Sequence, residues 1–348
     1  MKILVAMSGG VDSTVAAALL LDAGHTVCGV TFATDAASLD GEAVCDAQNV
    51  ARQLGIEHRV LDITKEFDRD VKEYFVSSYE AGETPNPCVV CNREIKFGLV
   101  LRYALECGFD AVATGHYARL VKTDDGRTRL YAAKDEKKDQ SYVLAALGEE
   151  SLEKAVFPLG EYTKDEIRAI AEKIGVCTAH KKDSQDICFI PDGDYAAFIE
   201  KYRAAPHIPG NYISESGEVL GTHRGHMCYT IGQRRGLGIA LGRHMFVLSR
   251  CAEDNTVMLG DASSLMKREI YTGAPNLIGC DALPKDVPLE ARIRYSHKGA
   301  ECTVSESDDG MRVEFTAAQR APTPGQLAVF TCRDDFGLRV LGSAFIRR

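Results

Sequence analysis

Two stretches of this sequence put chemically capable residues at close spacing. The first is Ala6-Met7-Ser8-Gly9-Gly10-Val11-Asp12-Ser13, a glycine pair followed at once by a carboxylate and a hydroxyl. It stands between Lys2 to Ala6, a short apolar run that reads as a buried strand, and Asp12 to Ala23, which reads as a helix stopped by Gly24. A glycine turn in that position aims backbone N–H groups and the positive end of a helix dipole at one point, which suits an anion. Ser8 and Ser13 add hydroxyl contacts, and Asp12 would hold a magnesium ion that bridges phosphate oxygens. The plainer alternative is a tight turn with Asp12 or Ser13 as helix cap. No lysine follows the glycines, so this is not the GxxxxGK[ST] loop of enzymes that cleave the γ-phosphate.

The second stretch is Cys88-Val-Val-Cys91, with Cys188 far downstream in Asp183-Ser-Gln-Asp-Ile-Cys-Phe189. Twelve cysteines in an exported chain would suggest disulfides, but the opening MKILVAMSGG meets glycine too soon for a signal peptide, so a reducing cytoplasm and no membrane are expected. Cys91 lies at the predicted start of a helix after a Pro-rich loop, where the helix end, Arg93 and Lys96 would favour thiolate. Three thiolates at Cys88, Cys91 and Cys188 would suit a [4Fe–4S] cluster with one open iron site. Structural zinc and a redox dithiol are rival readings, and zinc lacks a second well-spaced ligand pair, since only His116 is near. The remaining nine, among them Cys28, Cys107, Cys177 and Cys332, fall in predicted regular elements and are read as core.

These groups need a scaffold, and the first half supplies strand alternating with helix: strands at His25 to Phe32, His58 to Ile63 and Ala111 to Gly115, helices at Glu42 to Leu54 and Asn92 to Cys107. That pattern predicts an α/β fold with a doubly wound parallel sheet, whose ligand crevice lies just after Ala6, Phe32 and Thr114. Further helices are expected at Thr163 to Ile174, with Thr163 and Glu166 at capping-box spacing, and at Asp194 to Arg203. Near 204–210 the composition turns to short β-prone runs broken by Gly, Asp and Pro. The reading is a catalytic domain at 1–206, a small β-rich domain at 207–265 and a β-barrel at 266–348.

In this setting Ser8-Gly-Gly-Val-Asp-Ser13 resembles the loop of the N-type ATP pyrophosphatases, which cleave ATP between the α and β phosphates. Thr84-Pro-Asn-Pro-Cys-Val-Val-Cys-Asn-Arg-Glu-Ile-Lys-Phe97, Ala113-Thr-Gly-His-Tyr117, Lys138-Asp-Gln-Ser-Tyr142, the Cys188 block and Tyr229-Thr-Ile-Gly-Gln-Arg-Arg-Gly236 together resemble, in order, the bacterial tRNA-specific 2-thiouridylases. The resemblance implies ATP-dependent adenylation of the wobble uridine, U34, with ATP and magnesium as cofactors, followed by sulfur transfer. It implies nucleotide contacts from residues 6–13, Phe32 and Gly115, with Asp12, Cys91 and Cys188 catalytic, Cys91 as nucleophile and Cys188 as persulfide carrier. It assigns Asn86, Pro87 and Cys88 to the target base, and Lys138, Asp139, Gln140, Arg294 and Tyr295 to the tRNA. It also implies the tRNAs for Lys, Glu and Gln as substrates, and a cysteine desulfurase or sulfur-relay protein as partner. Many members carry Asp where this chain has Cys88.

A net charge of −9 argues against a protein that coats nucleic acid indiscriminately. Residues 1–206 carry 24 basic and 34 acidic side chains, whereas 207–348 carry 17 and 16, so a phosphate-facing surface is expected in the second half. An Arg beside an aromatic, as at Arg294 and Tyr295, can combine phosphate contact with stacking. The lysine-rich run Lys134 to Lys138, Gln233-Arg234-Arg235 and Arg292 read otherwise as solvated surface. Two other functions fit the phosphate loop alone: another adenylating enzyme, such as a 4-thiouridine synthetase or an amide ligase, and a non-catalytic tRNA-binding protein.

Overall fold

The computed structural model describes residues 1–176, 187–240 and 242–347. The first half contributes strands β1 (Lys2–Ala6), β2 (Thr26–Ala33), β3 (Glu57–Asp62), β4 (Ala111–Ala113), β5 (Ala118–Lys122), β6 (Thr128–Ala132) and β7 (Ala155–Val156). Five of these form one parallel sheet in the order β3-β2-β1-β4-β7. The chain winds outward from β1 to β3 and then returns to place β4 on the other side of β1. That reversal opens a crevice at the carboxyl ends of β1 and β4.

Helix α1 (Val11–Asp22) is rich in small residues because it is covered on two sides. Ala17 and Leu20 pack on the sheet with Ile3, Val5 and Ala113, while Val15 and Ala16 pack against Ile167 and Ala171 of the helix Lys164–Ile174. That second helix starts with the expected capping box between Thr163 and Glu166. Helix α2 (Glu42–Leu54) ends at Gly55, whose φ of 69° is the left-handed turn that a glycine adopts without strain.

The central β unit is a four-stranded sheet of Phe246–Cys251, Thr256–Gly260, Gly210–Ser214 and Val219–His223, in that order. The β-prone run at 227–231 is not one of its strands; His226–Cys228 is a short 3-10 turn that places Cys228 and Tyr229 in the core of the sheet.

The C-terminal sheet runs Met266–Thr272, Gly310–Arg320, Ala300–Ser307, Leu289–Arg292, Leu327–Asp334, Gly337–Phe345, β6, β5. It curls on itself, with Thr272 bridging Ile346 and the Arg347 N–H donating to the Tyr271 carbonyl at 2.8 Å. The barrel is therefore not built from 266 onward alone, since Leu130 and Tyr131 of β6 pair with Val340 and Arg339. Hydrophobic residues of both units share one core, in which Leu4, Val112 and Leu130 are clustered with Leu327, Val329 and Val340. A sheet that takes β5 and β6 from the first half of the chain joins the barrel to the unit that bears the crevice.

Candidate active site

The phosphate loop forms at the end of β1. Ala6 is half-buried, Met7 and Val11 are buried, and Ser8 remains exposed. The Met7 N–H donates to Val30 of β2 at 2.8 Å, and the Thr31 hydroxyl donates to the Met7 carbonyl at 2.7 Å. Gly9 has a φ of 70°, and a Cβ there would lie 2.8 Å from the Ala43 carbonyl oxygen, so only glycine lets the loop lie against α2. Gly10 caps α1 with no side chain of its own, and the Ser13 and Thr14 hydroxyls both donate to its carbonyl at 3.1 and 2.9 Å. The Ser8 N–H donates to the Ser13 hydroxyl at 3.2 Å. The helix start is thus left without a capping carboxylate, and Asp12 is free for another task.

That task involves a residue that sequence spacing did not single out. Lys164 reaches across from its helix to both oxygens of Asp12, at 2.8 and 2.9 Å, although the lysine is only 6% exposed. The Tyr117 hydroxyl donates to the same carboxylate at 2.7 Å. A buried ammonium held beside a phosphate loop is a preformed site for anionic oxygens, because desolvation makes a cation costly unless a negative partner is always at hand. Lys164 stands directly after the capping threonine, and that spacing was the one available hint.

Residues 113–117 tie this end to the sulfur chemistry. A Cβ on Gly115 would lie 2.8 Å from the Asp12 backbone, so Gly115 permits β4 to close on the first turn of α1, while Tyr117 binds Asp12 itself. Between them His116 turns to the other side, its Nδ1 2.7 Å from the Thr114 hydroxyl and its ring edge-on to Phe157. Burial holds this imidazole well below its ordinary pKa, and the Lys96 ammonium lowers it further.

Cys88 and Cys91 lie on one continuous helical run, in which Pro87–Val90 is α-helical, Cys91–Leu99 π-helical and Val100–Glu106 α-helical again. The expectation that Cys91 begins the helix is corrected: Asn86 is the cap, its side chain accepting from the Val89 N–H, and Cys91 lies in the second turn. The expectation of a stabilised thiolate is corrected as well. Burial pushes the Cys91 thiol up to about 11, overriding the Lys96 ammonium that pulls it down, while Arg93 pairs with Glu94 at 2.7 Å instead. The π register explains why Lys96 serves this thiol. Residue i+5 lies about 140° around an α-helix but only about 50° around a π-helix, which brings Lys96 toward the face of Cys91. Gly98 accommodates that register, since a Cβ there would meet the Arg93 carbonyl at 2.7 Å.

Cys188 sits on a tight turn closed by the Ile190 N–H to the Ile187 carbonyl at 2.8 Å, ahead of the helix Tyr195–Arg203. It is close enough to Cys88, Cys91 and Lys96 for each charge to act on the others: Cys188 and Cys88 raise the Cys91 thiol after burial, and Cys88 raises that of Cys188. Cys88 and Cys188 are exposed by surface area, yet burial holds both thiols above their ordinary value. The two observations agree for sulfurs at the mouth of a crevice, touched by solvent but walled by protein. Among the described residues no three His, Cys, Asp or Glu side chains are gathered closely enough to hold a metal ion. Asp183 to Asp186 of the same block, and Cys177, lie outside the described residues. Of the cysteines read as core, Cys28 and Cys332 are buried, Cys107 is half-buried, and Cys45 is exposed.

The residues assigned to tRNA divide. Pro87 is buried at the helix start and Lys138 is half-buried. Asp139 is 7% exposed; it accepts from the Ala133 and Ser141 N–H groups and pairs with Arg292 at 2.8 Å. Arg292 is half-buried by this pairing. Gln140 accepts from the Tyr117 N–H at 3.0 Å, bracing the 113–117 segment. Tyr295 stays 44% exposed, its hydroxyl donating to the Asp139 carbonyl at 3.3 Å, and the Cys88 sulfur is near enough to help raise its pKa. Arg294 is half-buried, with one N–H on the Arg320 carbonyl at 2.9 Å. The barrel thus lends an aromatic side chain to the rim of the cysteine crevice. Phe32 packs half-buried at the end of β2, where the crevice opens. Gln233 staples its own loop by accepting from Thr230 and donating to Arg235.

Three family profiles match the chain in succession: the tRNA methyl transferase HUP domain over residues 1–192, the tRNA methyl transferase PRC-barrel domain over 196–261 and the aminomethyltransferase beta-barrel domain over 267–346. The tRNA-specific 2-thiouridylase MnmA of Syntrophotalea carbinolica is 47% identical over 352 residues, covering 99% of this chain and 98% of its own. That of Lachnoclostridium phytofermentans is 44% identical over 341 residues, covering 94% and 96%. Among solved structures, the U34-tRNA thiolase NcsA from Methanococcus maripaludis with its [4Fe-4S] cluster superposes with a TM-score of 0.36 at 20% identity, over 58% of this chain and 66% of that one. Among the described residues no helix is long and apolar enough to cross a membrane.

Proposed function

Because the chain belongs to the tRNA-specific 2-thiouridylase family, we propose that it converts U34 of tRNA to 2-thiouridine in two steps at the crevice beyond β1 and β4. The observation that carries this reading is the 113–117 segment. Its Gly115 and Tyr117 serve the phosphate loop while His116 is within reach of the Lys96 ammonium, which also acts on Cys88, Cys91 and Cys188, so one strand end joins an ATP site to the surroundings of the sulfurs.

In the first step the uridine C2 oxygen attacks the α-phosphorus of ATP, the bond to the β-phosphate oxygen breaks, and pyrophosphate leaves. Residues 6–13 cradle the phosphates, and Lys164 turns from Asp12 to the departing pyrophosphate oxygens. Asp12 would then hold a magnesium ion, which would supply positive charge to the leaving group. Phe32 flanks the nucleoside. Asn86, Pro87 and Cys88 line the pocket for the extruded base, with Tyr295 at its rim and Lys138 and Arg294 on the tRNA backbone.

In the second step the terminal sulfur of a Cys188 persulfide attacks C2 and AMP leaves with the former C2 oxygen. The Cys91 thiolate then attacks the Cys188 sulfur, which releases the thiocarbonyl and leaves a Cys91–Cys188 disulfide that a thiol reductant resolves. A cysteine desulfurase or relay protein reloads Cys188. The tRNAs for Lys, Glu and Gln are the proposed substrates. The sulfur route proposed is a persulfide on Cys188, with a [4Fe–4S] cluster at Cys88, Cys91 and Cys188 as the alternative.

The test splits anaerobically purified protein into iron-reconstituted and metal-stripped halves, supplies ATP, magnesium, unmodified tRNA, a persulfide donor and dithiothreitol, and quantifies 2-thiouridine by nucleoside mass spectrometry. Equal yields are expected. A product confined to the reconstituted half would replace the persulfide route by the cluster route, and no product in either half would sink the thiolation reading.

A further inference from the structure

We propose that Arg250, a residue of the central sheet, is a positioning residue for the target base, setting the loop that leads into Cys88 and Cys91. This role rests on the thiolation reading and gives the central unit a part in it.

Arg250 lies in the strand Phe246–Cys251 and is only 5% exposed. Burying a guanidinium costs free energy unless its N–H groups find acceptors. Here one terminal nitrogen crosses to the catalytic unit, donating to the Gly82 carbonyl at 3.1 Å and the Thr84 hydroxyl at 3.0 Å. The guanidinium also lies over Tyr79 at 5.3 Å, and Tyr79 stacks on Tyr195 at 4.7 Å with 23° between the rings. The same segment is gripped nearby by His226, whose Nε2 is 3.1 Å from the Glu80 carbonyl. From the barrel side, the Thr84 N–H donates to Pro324 at 2.9 Å, and Gly325 packs so closely that a Cβ would meet the Thr84 carbonyl at 2.9 Å. Residues 80–84 are therefore the place where all three units meet.

The position of Thr84 matters because of the residues it leads into. Thr84-Pro85-Asn86-Pro87-Cys88 contains two prolines around the helix cap, and each fixes its own φ and restricts the residue before it. Such a segment is a stiff lever. An error at Thr84 is not absorbed by loose backbone and reaches Asn86 and Cys88, where the base must lie in reach of the α-phosphorus. Misplacement by about 1 Å at a reacting group costs on the order of a hundredfold in rate. The contacts of Arg250 with Gly82, Thr84 and Tyr79 bear on the loop ahead of Asn86, so its effect should fall on the turnover of bound tRNA.

The experiment uses full-length Arg250→Met, which keeps length and removes the donors, with Arg250→Lys as the conservative variant. Tm, tRNA affinity by filter binding and ATP affinity are measured beside tRNA-dependent pyrophosphate release. For Arg250→Met the expected result is a fall in kcat of about thirty- to a hundredfold, with both affinities within about threefold, and partial recovery in the lysine variant. A folded Arg250→Met protein with kcat within twofold of the wild type overturns the proposal. So does a loss confined to tRNA affinity, which would make Arg250 an RNA contact. If Arg250→Met does not fold, Thr84→Val probes the same bond from its acceptor side, where a drop of about fivefold is expected and an unchanged kcat refutes the role. Wild-type protein that releases no pyrophosphate with tRNA would instead bring down the functional reading, and this proposal with it.

Discussion

The two ends of the crevice are prepared in opposite ways. At the phosphate end every charge already has its partner, with Lys164 and Tyr117 on Asp12 and the serine and threonine hydroxyls folded onto Gly10. At the sulfur end the reactive groups are held in the uncharged state, with Cys91 pushed up to about 11 and His116 pushed well below its usual value by the same burial. An adenylating centre must offer fixed charge to a polyanion as it arrives, and paired side chains can exchange partners at little cost. A sulfur centre must instead avoid attacking or oxidising before the activated base is present, and a thiol is inert where a thiolate is not.

Substitutions should separate the two ends most sharply in the first step. Asp12→Asn and Lys164→Met are expected to lower tRNA-dependent pyrophosphate release by about a hundredfold or more, and 2-thiouridine in proportion, with tRNA affinity nearly intact. Cys91→Ala is expected to abolish 2-thiouridine, a fall of about a thousandfold or more, while one equivalent of pyrophosphate is still released in a single turnover. Pyrophosphate release unaffected by Asp12→Asn would break the comparison. So would its loss in Cys91→Ala, because the sulfur end would then belong to adenylation.

The clamp that holds the two ends in register should show itself in stability. Asp139 accepts from two backbone N–H groups, from the Ser141 hydroxyl and from the half-buried Arg292 of the barrel. Asp139→Ala leaves that guanidinium without its counter-ion, and breaking a buried pair from one side costs about 3 to 5 kcal/mol. Urea denaturation should register a loss of that size. If stability holds while tRNA affinity and its salt dependence fall, Asp139 faces the RNA after all.

Legibility in the sequence divides along the same line. The phosphate loop was legible because its geometry is local: a strand, a glycine turn and a helix start within thirteen residues, ending at Ser13, dictate where N–H groups point. The alternating first half gave the parallel sheet, and Thr163 with Glu166 gave a helix start. Lys164 was invisible as a partner of Asp12 because the two are 152 residues apart and only packing of their helices joins them. β6 was missed for a related reason, since it joins the sheet through Gly337–Phe345 near the far end of the chain, and β5 pairs only with β6. At the sulfur end the residues were found but their state was misread. Spacing suggested a helix terminus and free cations, whereas the cap falls at Asn86 and burial outweighs Lys96.

Cys91 and the lysine that the π register brings to it carry the contrast into pH dependence. A thiol raised to about 11 is protonated at neutral pH, so the thiolate fraction grows tenfold per pH unit until the pKa is approached. The rate of 2-thiouridine release, followed in a single turnover from a preformed adenylate, should therefore climb with pH between about 7 and 9, while the pyrophosphate step stays comparatively flat. Lys96 is the group that favours the charged sulfur. In Lys96→Gln that help is lost, the thiol pKa rises further, and the profile should move to higher pH, giving a fall of about three- to tenfold at pH 8 that narrows as pH increases. A loss of equal size at every pH would mean that Lys96 binds substrate and leaves the thiol alone. An unchanged profile would mean that the π-helical register has no bearing on sulfur ionisation, and the contrast between the two ends would then rest on burial by itself.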